Sequence, residues 1–478
     1  MAGTRSAKVR ALLINPWIHD FAAYDMWCQP LGLLYVADLL ERLGCGTTLV
    51  NCLDRTHPSL HGWKAEGGWF GAFGCGKYPG EVIEKPAPLA GLKRKLRRYG
   101  IPLDAFRREI AAVDKPDLIC VTTLMTHWHG GAIEAIREAK RLFPATPVVL
   151  GGMYPTFCAE HARRNSGADA VVSGGSFREV AGAICGVLGV NGDGLPGGWE
   201  GIKPAHHLIR SGAAGIVTSW GCPFRCAYCG SRLIHDSYVQ RPPRDVADEL
   251  EWLAREGGRR DVAFYDDALL VNAERHFLPI AEEIITRELY LRFHTPNGLH
   301  CRYMTPEIAK AMRRCGFRTV RLSYESSDAG RQIRESSGKV TDDEFIRAVG
   351  ALKSAGFESR EIAAYVLFGL PGQEAEEIRR SVRRVIDEGI QASLAQFSPI
   401  PGTSAYEEWL AASTYSREEA ESEPLCYSCS AIGYRMKSGP DWEGYESLKN
   451  EVRRANLALI TRADKTRTAG AAGAGAPI

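Results

Sequence analysis

The stretch Trp220–Ser231 reads W-G-C-P-F-R-C-A-Y-C-G-S and holds Cys222, Cys226 and Cys229, separated by three and then two residues. Short spacings beside Gly and Pro let one loop present several thiolates to a single centre. Thiolates are the usual protein ligands of iron–sulfur clusters, and four of them close a 4Fe–4S cube. Three, with no fourth nearby, leave one iron open to an exchangeable ligand. Zinc competes for the same thiolates, but structural zinc wants four ligands in paired clusters, and no second Cys or His pair follows at finger spacing. A structural metal knot, or cysteines that are merely buried, are the bland alternatives.

The C-x3-C-x-aromatic-C loop, preceded by the strand-like A-G-I-V-T-S, resembles the cluster loop of radical S-adenosylmethionine enzymes. The resemblance implies a 4Fe–4S cluster whose open iron is chelated by the amino and carboxylate groups of S-adenosylmethionine. Electron transfer, from an external donor such as flavodoxin or ferredoxin, would then cleave that cofactor to a 5′-deoxyadenosyl radical.

At 478 residues the chain is too long for one ordinary domain, so two large units and a small third are expected. Hydrophobic residues at 45% and charged residues at 24% describe a soluble globular protein. A net charge of +2 argues against a nucleic-acid-binding stripe. No run of about 20 apolar residues is present, so no membrane span is expected. The opening M-A-G-T-R-S-A-K-V-R leads directly into an apolar strand without a signal peptide's apolar core. The scatter of 14 cysteines fits reduced cytosol better than a disulfide framework. A cytoplasmic, multidomain α/β protein is expected.

In residues 1–190, short apolar runs at Val9–Asn15, Thr47–Leu53, Asp117–Thr123, Pro147–Leu150 and Ala170–Ser173 alternate with helical patterns such as Pro30–Leu43 and Ile133–Leu142. Strands alternating with helices mean a parallel sheet covered on both faces, with ligands at the strand carboxyl ends. The pattern looks like a flavodoxin-like, Rossmann-like domain. Val121-Thr122-Thr123-Leu124 after the third strand and Gly151-Gly152 after the fourth resemble the S-x-L…G-G spacing of cobalamin-binding domains, with Thr122 in the Ser position. On that resemblance Thr122, Leu124, Gly151 and Gly152 contact cobalamin. Two departures stand out. The D-x-H-x-x-G motif is absent, so His19 is not expected to ligate cobalt, and S-G-G-S at Ser173–Ser176 replaces an acidic G-E-G-E.

An insertion at about 54–102 is rich in Gly, Trp and basic residues, and a loop of that length is usually functional or separately ordered. Its run Lys93–Arg98 reads as a solvated helix face rather than an anion site. Trp63, Trp69 and Phe70 either cap the strand ends or pack the insertion down. His127 and His129, flanking Trp128, either contact a corrin ring or bond to backbone carbonyls.

Residues 191–210 read as a turn-rich linker. The β/α alternation then restarts over 211–405, with strands near Gly215–Ser219, Val262–Tyr265, Leu291–His294, Thr319–Ser323, Ile362–Leu367 and Ser393–Phe397. Six repeats with the cluster loop after the first strand look like the family's partial (β/α)6 TIM barrel, whose chemistry sits at the strand carboxyl ends. The resemblance gives Asp266 and Asp267 the methionine ammonium, Glu325 the ribose hydroxyls, and Gly369 in F-G-L-P-G the adenine, with Tyr228 nearby. His294, Asn297 and His300 are expected near the mouth, and an Arg321–Glu325 pair is the structural alternative for Glu325, since residues four apart in a strand share a face.

A small helical region, 406–464, and a disordered tail, 465–478, close the chain. Cys426 and Cys429 read as a thiol pair without cofactor. The expectation is a cobalamin-binding radical S-adenosylmethionine enzyme with a small-molecule substrate, working as a C-methyltransferase. A rearrangement or ring-forming enzyme using the same cofactors, and a non-catalytic corrinoid or iron–sulfur protein, are the alternatives.

Overall fold

The computed structural model describes residues 9–65, 72–437 and 442–472. The apolar runs of the first half form five parallel strands: β1 (Arg10–Asn15), β2 (Gly46–Asn51), β3 (Leu118–Val121), β4 (Val148–Leu150) and β5 (Ala170–Val171). Their order is β5-β4-β3-β1-β2, the flavodoxin-like arrangement. The runs are continuous because both faces are buried. Leu12, Ile14, Ile119 and Val121 meet helices Leu103–Ala111 and His129–Leu142 on one face. Ala11, Leu13, Leu118 and Cys120 meet helices Leu31–Arg42 and Phe177–Leu188 on the other.

The second half builds another parallel sheet, in sequence order: β6 (Ala213–Ile216), β7 (Asp261–Phe264), β8 (Arg292–His294), β9 (Phe317–Glu325), β10 (Ile362–Phe368) and β11 (Gln391–Gln396). A short strand, Leu299–His300, pairs beside β9. β6 and β11 do not pair with each other, so the barrel is partial and has two free edges. Each edge is met by an amide side chain. Gln29, in the loop after β1, donates to the Ala213 carbonyl at 2.5 Å and accepts from Gly215 N at 3.1 Å. On the other edge Asn456, in the last helix Trp442–Ala472, accepts from Ala392 N at 3.0 Å and donates to its carbonyl at 2.8 Å. Edge groups left bare would cost stability or invite a foreign strand.

The insertion is ordered where it is described, and it differs from expectation. Arg97–Tyr99 is the middle strand of a small antiparallel sheet with Ile18–Asp20 and Gly80–Val82. The basic run is therefore no solvated helix face: Arg98 is buried and bonds Glu81 and Glu134. Two acids on neighbouring elements draw the guanidinium inward, which a single-sequence charge pattern does not reveal. Trp69 and Phe70 lie outside the described residues. The last helix continues to Ala472, so residues 465–472 are helical rather than the expected tail.

Asp20, also in the loop after β1, joins this domain to the C-terminal region. Its buried carboxylate accepts from His127 at 3.2 Å, Trp128 Nε1 at 3.0 Å, Ser428 Oγ at 2.7 Å and Phe21 N at 2.7 Å. Burial alone would raise its pKa, but the bonds from His127, Ser428 and Trp128 hold it below the usual range. Asp20→Ala strips four buried donors of their acceptor. We expect a loss of about 3 kcal/mol or more in unfolding free energy, read from urea titrations, with faster proteolytic cleavage within residues 413–437.

Candidate functional site

The cluster loop starts where β6 ends. Asp266, just past β7, is buried and accepts from Thr218 N at 3.0 Å, Thr218 Oγ1 at 2.7 Å and Ser219 Oγ at 2.6 Å, fixing the direction in which the chain leaves β6. Farther along, Ala227 N donates to the Glu335 carbonyl at 2.7 Å, and Ala405 N donates to the Ala227 carbonyl at 3.1 Å. The Cys226 thiol lies 3.5 Å from the Ser336 carbonyl. Ser231 N points at the Cys229 sulfur, also at 3.5 Å, and Ser231 Oγ donates to Asp267 at 2.5 Å. All three cysteines are free and half-buried. Burial pushes the Cys222 and Cys229 thiols up to about 11 and raises Cys226 as well, and Cys222 feels both other thiols electrostatically.

The first domain presses on this loop from the side. Phe157, after β4, packs at Gly230, and Gly175 N donates to the Ile234 carbonyl at 3.2 Å. The S-G-G-S segment thus serves a close backbone contact with the helix Ser231–Ile234, which explains small residues there. At the other end of the same sheet, Asn51, which ends β2, and Leu53 beyond it line a cavity of about 310 Å³ shared with Ser211, Arg260 and Arg292 at the amino ends of the barrel strands. The carboxyl edge of the first sheet therefore runs along the open side of the barrel, from β2 at its floor to β4 and β5 at its mouth.

The barrel floor comes from the first domain. Trp27 stacks on His294 with ring centroids 4.1 Å apart, Phe73 approaches the same ring at 4.9 Å, and Trp27 Nε1 donates to the Phe73 carbonyl at 2.8 Å. Tyr24–Asp25 pairs with Gly76–Lys77 beside them. Trp27 and Phe73 both have positive φ, 62° and 58°, strain that the surrounding contacts sustain. His294 lies at this floor, fully buried against Asp261 (3.1 Å) and Thr319 (2.9 Å), and not at the mouth as its position at a strand end suggested.

At the mouth, Asn297 is exposed and donates to the Tyr265 carbonyl at 2.8 Å, and Asp267 is exposed too. Asp267 is open to solvent yet ringed by protein, and burial still raises its carboxyl. Glu325 pairs with Lys339 at 2.8 Å, not with Arg321, and both partners are buried. Burial would discharge Lys339, but Glu325, with Tyr228 and Cys226 behind it, holds the ammonium well above its ordinary value. Glu325 also has a positive φ of 68°, next to a register shift in β9. Tyr228 lies under Lys339 and within 3.4 Å of Ser336 Oγ. Gly369 has φ 89°, and a Cβ there would meet only open space up to the Gln396 side chain at 4.0 Å. His300 is buried against Phe224 of the cluster loop, and burial lowers it to about 3.

In the first domain Thr122 is buried at the end of β3, and Leu124 is half-buried against the small cluster around Ile18 and Tyr99. Gly152, at φ 95°, closes on Thr123, and a Cβ on Gly151 would stand in open space. His19 bonds Glu134 at 3.0 Å, His127 bonds Asp20, and His129 pairs with Glu423 at 3.2 Å. These three histidines are committed to protein partners.

The Radical SAM superfamily model matches residues 216–385, and the B12 binding domain model matches residues 86–180. The chain is a radical S-adenosylmethionine protein with a B12-binding domain. This radical S-adenosylmethionine protein is 27% identical over 346 residues to an uncharacterized methyltransferase of Pyrococcus horikoshii, covering 64% of this chain and 73% of that one. It is 22% identical over 344 residues to the anaerobic magnesium-protoporphyrin IX monomethyl ester cyclase of Rubrivivax gelatinosus, covering 64% and 60%. Among solved structures, the methyltransferase TsrM from Kitasatospora setae, bound to cobalamin and a [4Fe-4S] cluster, superposes with a TM-score of 0.60 at 17% identity, over 89% of this chain and 84% of that one. The cobalamin-dependent enzyme OxsB gives 0.52 at 13% identity, over 91% and 57%.

The residues fit the cofactors of this family. The three thiols share one loop, and Cys222 feels both others, although among the described residues no three side chains are gathered closely enough to hold a metal as they stand; their raised values mean that cluster assembly would release protons. The empty side of Gly369 and the solvent-open Asp267 and Asn297 leave room for a nucleoside and an amino acid at one barrel edge. At the carboxyl edge of the first sheet Gly151 faces open space, which leaves its backbone approachable. Lys339 was not singled out by sequence, because it lies 14 residues beyond Glu325 with no motif between them.

Two measurements probe this arrangement. Lys339→Met leaves Glu325 buried and unpaired, and we expect a loss of about 3–5 kcal/mol in unfolding free energy, largely restored in Lys339→Met/Glu325→Gln. Burial raises Asp266 to about 6, above its unfolded value, so its contribution to stability is full at low pH and disappears as pH rises through that range. The stability advantage of wild type over Asp266→Asn should therefore shrink by about 2 kcal/mol between pH 4 and 7, read as urea midpoints across that range.

Proposed function

We propose that this protein is a cobalamin-dependent radical C-methyltransferase acting on an unactivated carbon of a small molecule. The observation that carries the reading is the placement of the two cofactor sites. The cluster loop and the carboxyl edge of the B12-binding sheet touch at Phe157–Gly230 and Gly175–Ile234, which brings the two sites side by side. The similarity to the Pyrococcus horikoshii methyltransferase supports the same reading.

When bound, the cluster and S-adenosylmethionine supply radical hydrogen abstraction, and cobalamin supplies the methyl group. The chain's part is to hold and to exclude. Cys222, Cys226 and Cys229 grip the cluster. Asp267, Asn297 and the Asp266 carbonyl face the methionine portion. Gly369 admits the adenine, with Tyr228 behind it. Glu325, paired with Lys339 at 2.8 Å, would accept from ribose hydroxyls. Thr122, Leu124, Gly151 and Gly152 seat the corrinoid, and the Trp27–Phe73 floor shuts bulk water out of the barrel from below. An external flavodoxin- or ferredoxin-like donor would supply the electron.

Similarity to the cyclase of Rubrivivax gelatinosus favours ring formation with the same cofactors as the second reading. Anaerobic reconstitution should give about four iron and about one cobalt per chain. Wild-type protein under reductant should release 5′-deoxyadenosine from S-adenosylmethionine, and Cys226→Ala should release none. A loaded protein without cobalt, or a Cys226→Ala variant that still cleaves the cofactor, would falsify the assignment. A product heavier by one methyl separates methylation from cyclisation.

A further inference from the structure

On β9, Val320, Leu322 and Tyr324 enter the core beneath the helices, so Thr319, Arg321, Ser323 and Glu325 face the barrel interior. Three acids of this interior already have cations: Asp261 takes Arg292 at 2.6 Å, Asp25 takes Arg55 at 3.1 Å, and Glu325 takes Lys339 at 2.8 Å. Arg321 has no such partner: among the described residues no carboxylate lies within ion-pair distance of it, and its Nη1 is buried without an acceptor. An unmet buried donor costs about 1–3 kcal/mol, and more when it carries charge.

The groups around that guanidinium are Tyr24 and Cys75 of the floor, His294 and Tyr365. None offers a negative charge. Burial pushes Tyr24 and Cys75 up to about 12, raises Tyr365, and keeps His294 neutral. Tyr365 already donates to the Pro296 carbonyl at 2.6 Å. Two strands away, Ser393 and Ala395 on β11 are small and only half-buried. Arg321 precedes Glu325 by four residues, which sets it roughly 13 Å deeper along the strand. It therefore looks past the mouth, where S-adenosylmethionine is placed, into the barrel.

We propose that Arg321 receives the carboxylate of the substrate, and that the substrate is a small carboxylic acid held with its acid group toward the floor and its reacting carbon toward the mouth. The proposal rests on the reading of the site given above. A guanidinium suits the task because its planar fork matches a carboxylate through two parallel bonds. Held there, the acid group orients the rest of the molecule along the barrel axis.

The test uses reconstituted holoenzyme with S-adenosylmethionine. Iron and cobalt are counted first, so that a failure of cofactor loading counts against the functional reading and not against this one. Butyrate and phenylacetate are then compared with their primary amides by saturation-transfer NMR and equilibrium dialysis. Wild type should bind at least one acid saturably and at least tenfold more tightly than its amide. Arg321→Gln should erase that preference, and Arg321→Lys, which keeps the charge but not the fork, should retain part of it. Equal binding of acid and amide, no saturable binding of either acid, or a preference untouched in Arg321→Gln would overturn the proposal. So would a loss confined to S-adenosylmethionine affinity, which would assign Arg321 to the cofactor instead.

Discussion

A parallel sheet that curls without closing leaves two rows of backbone donors and acceptors unpaired, and the whole architecture answers that constraint. One edge is met by Gln29 of the first domain and the other by Asn456 of the last helix. Each amide supplies one donor and one acceptor, so each imitates a single residue of an added strand. The flanking regions are therefore structural parts of the barrel, and their positions are fixed by hydrogen-bond chemistry before any cofactor enters.

From that frame the site inherits its order. Asp266 gathers Thr218 and Ser219 so that the chain turns into the cysteine loop at one angle. Helix Ala329–Ser336 holds the far side of the loop through the Glu335 carbonyl, and the Gly175 contact braces it from the first domain. Several charges inside the barrel are matched pair by pair, which keeps the desolvation penalty tolerable. Arg321 is conspicuous because its buried Nη1 has no acceptor.

Much of this was legible in the chain. Strand–helix alternation with continuous apolar runs led to both sheets, because a parallel sheet buried on two faces leaves few other patterns. The cysteine loop is marked by its spacing, and Gly369 adopts a left-handed backbone that favours glycine. The unreadable part consists of contacts distant in sequence. Nothing near Glu325 announces Lys339, and the i,i+4 rule pointed to Arg321 instead. The run Lys93–Arg98 reads as a solvated helix face because Arg98's partners, Glu81 and Glu134, lie on other elements. His294 sits at a strand end in the sequence, yet its ring turns downward to Asp261.

One loop, residues 16–29, reaches all three units. Trp17 anchors to the Ile101 carbonyl, Asp20 fastens the C-terminal region, Tyr24 and Trp27 seal the barrel below, and Gln29 completes its edge. The catalytic barrel is thus not a free-standing module. Grafting it onto another scaffold, or swapping in a foreign B12 domain, would require those fourteen residues to travel with it. Evolution is bound by the same requirement, so the three parts are expected to be inherited as one.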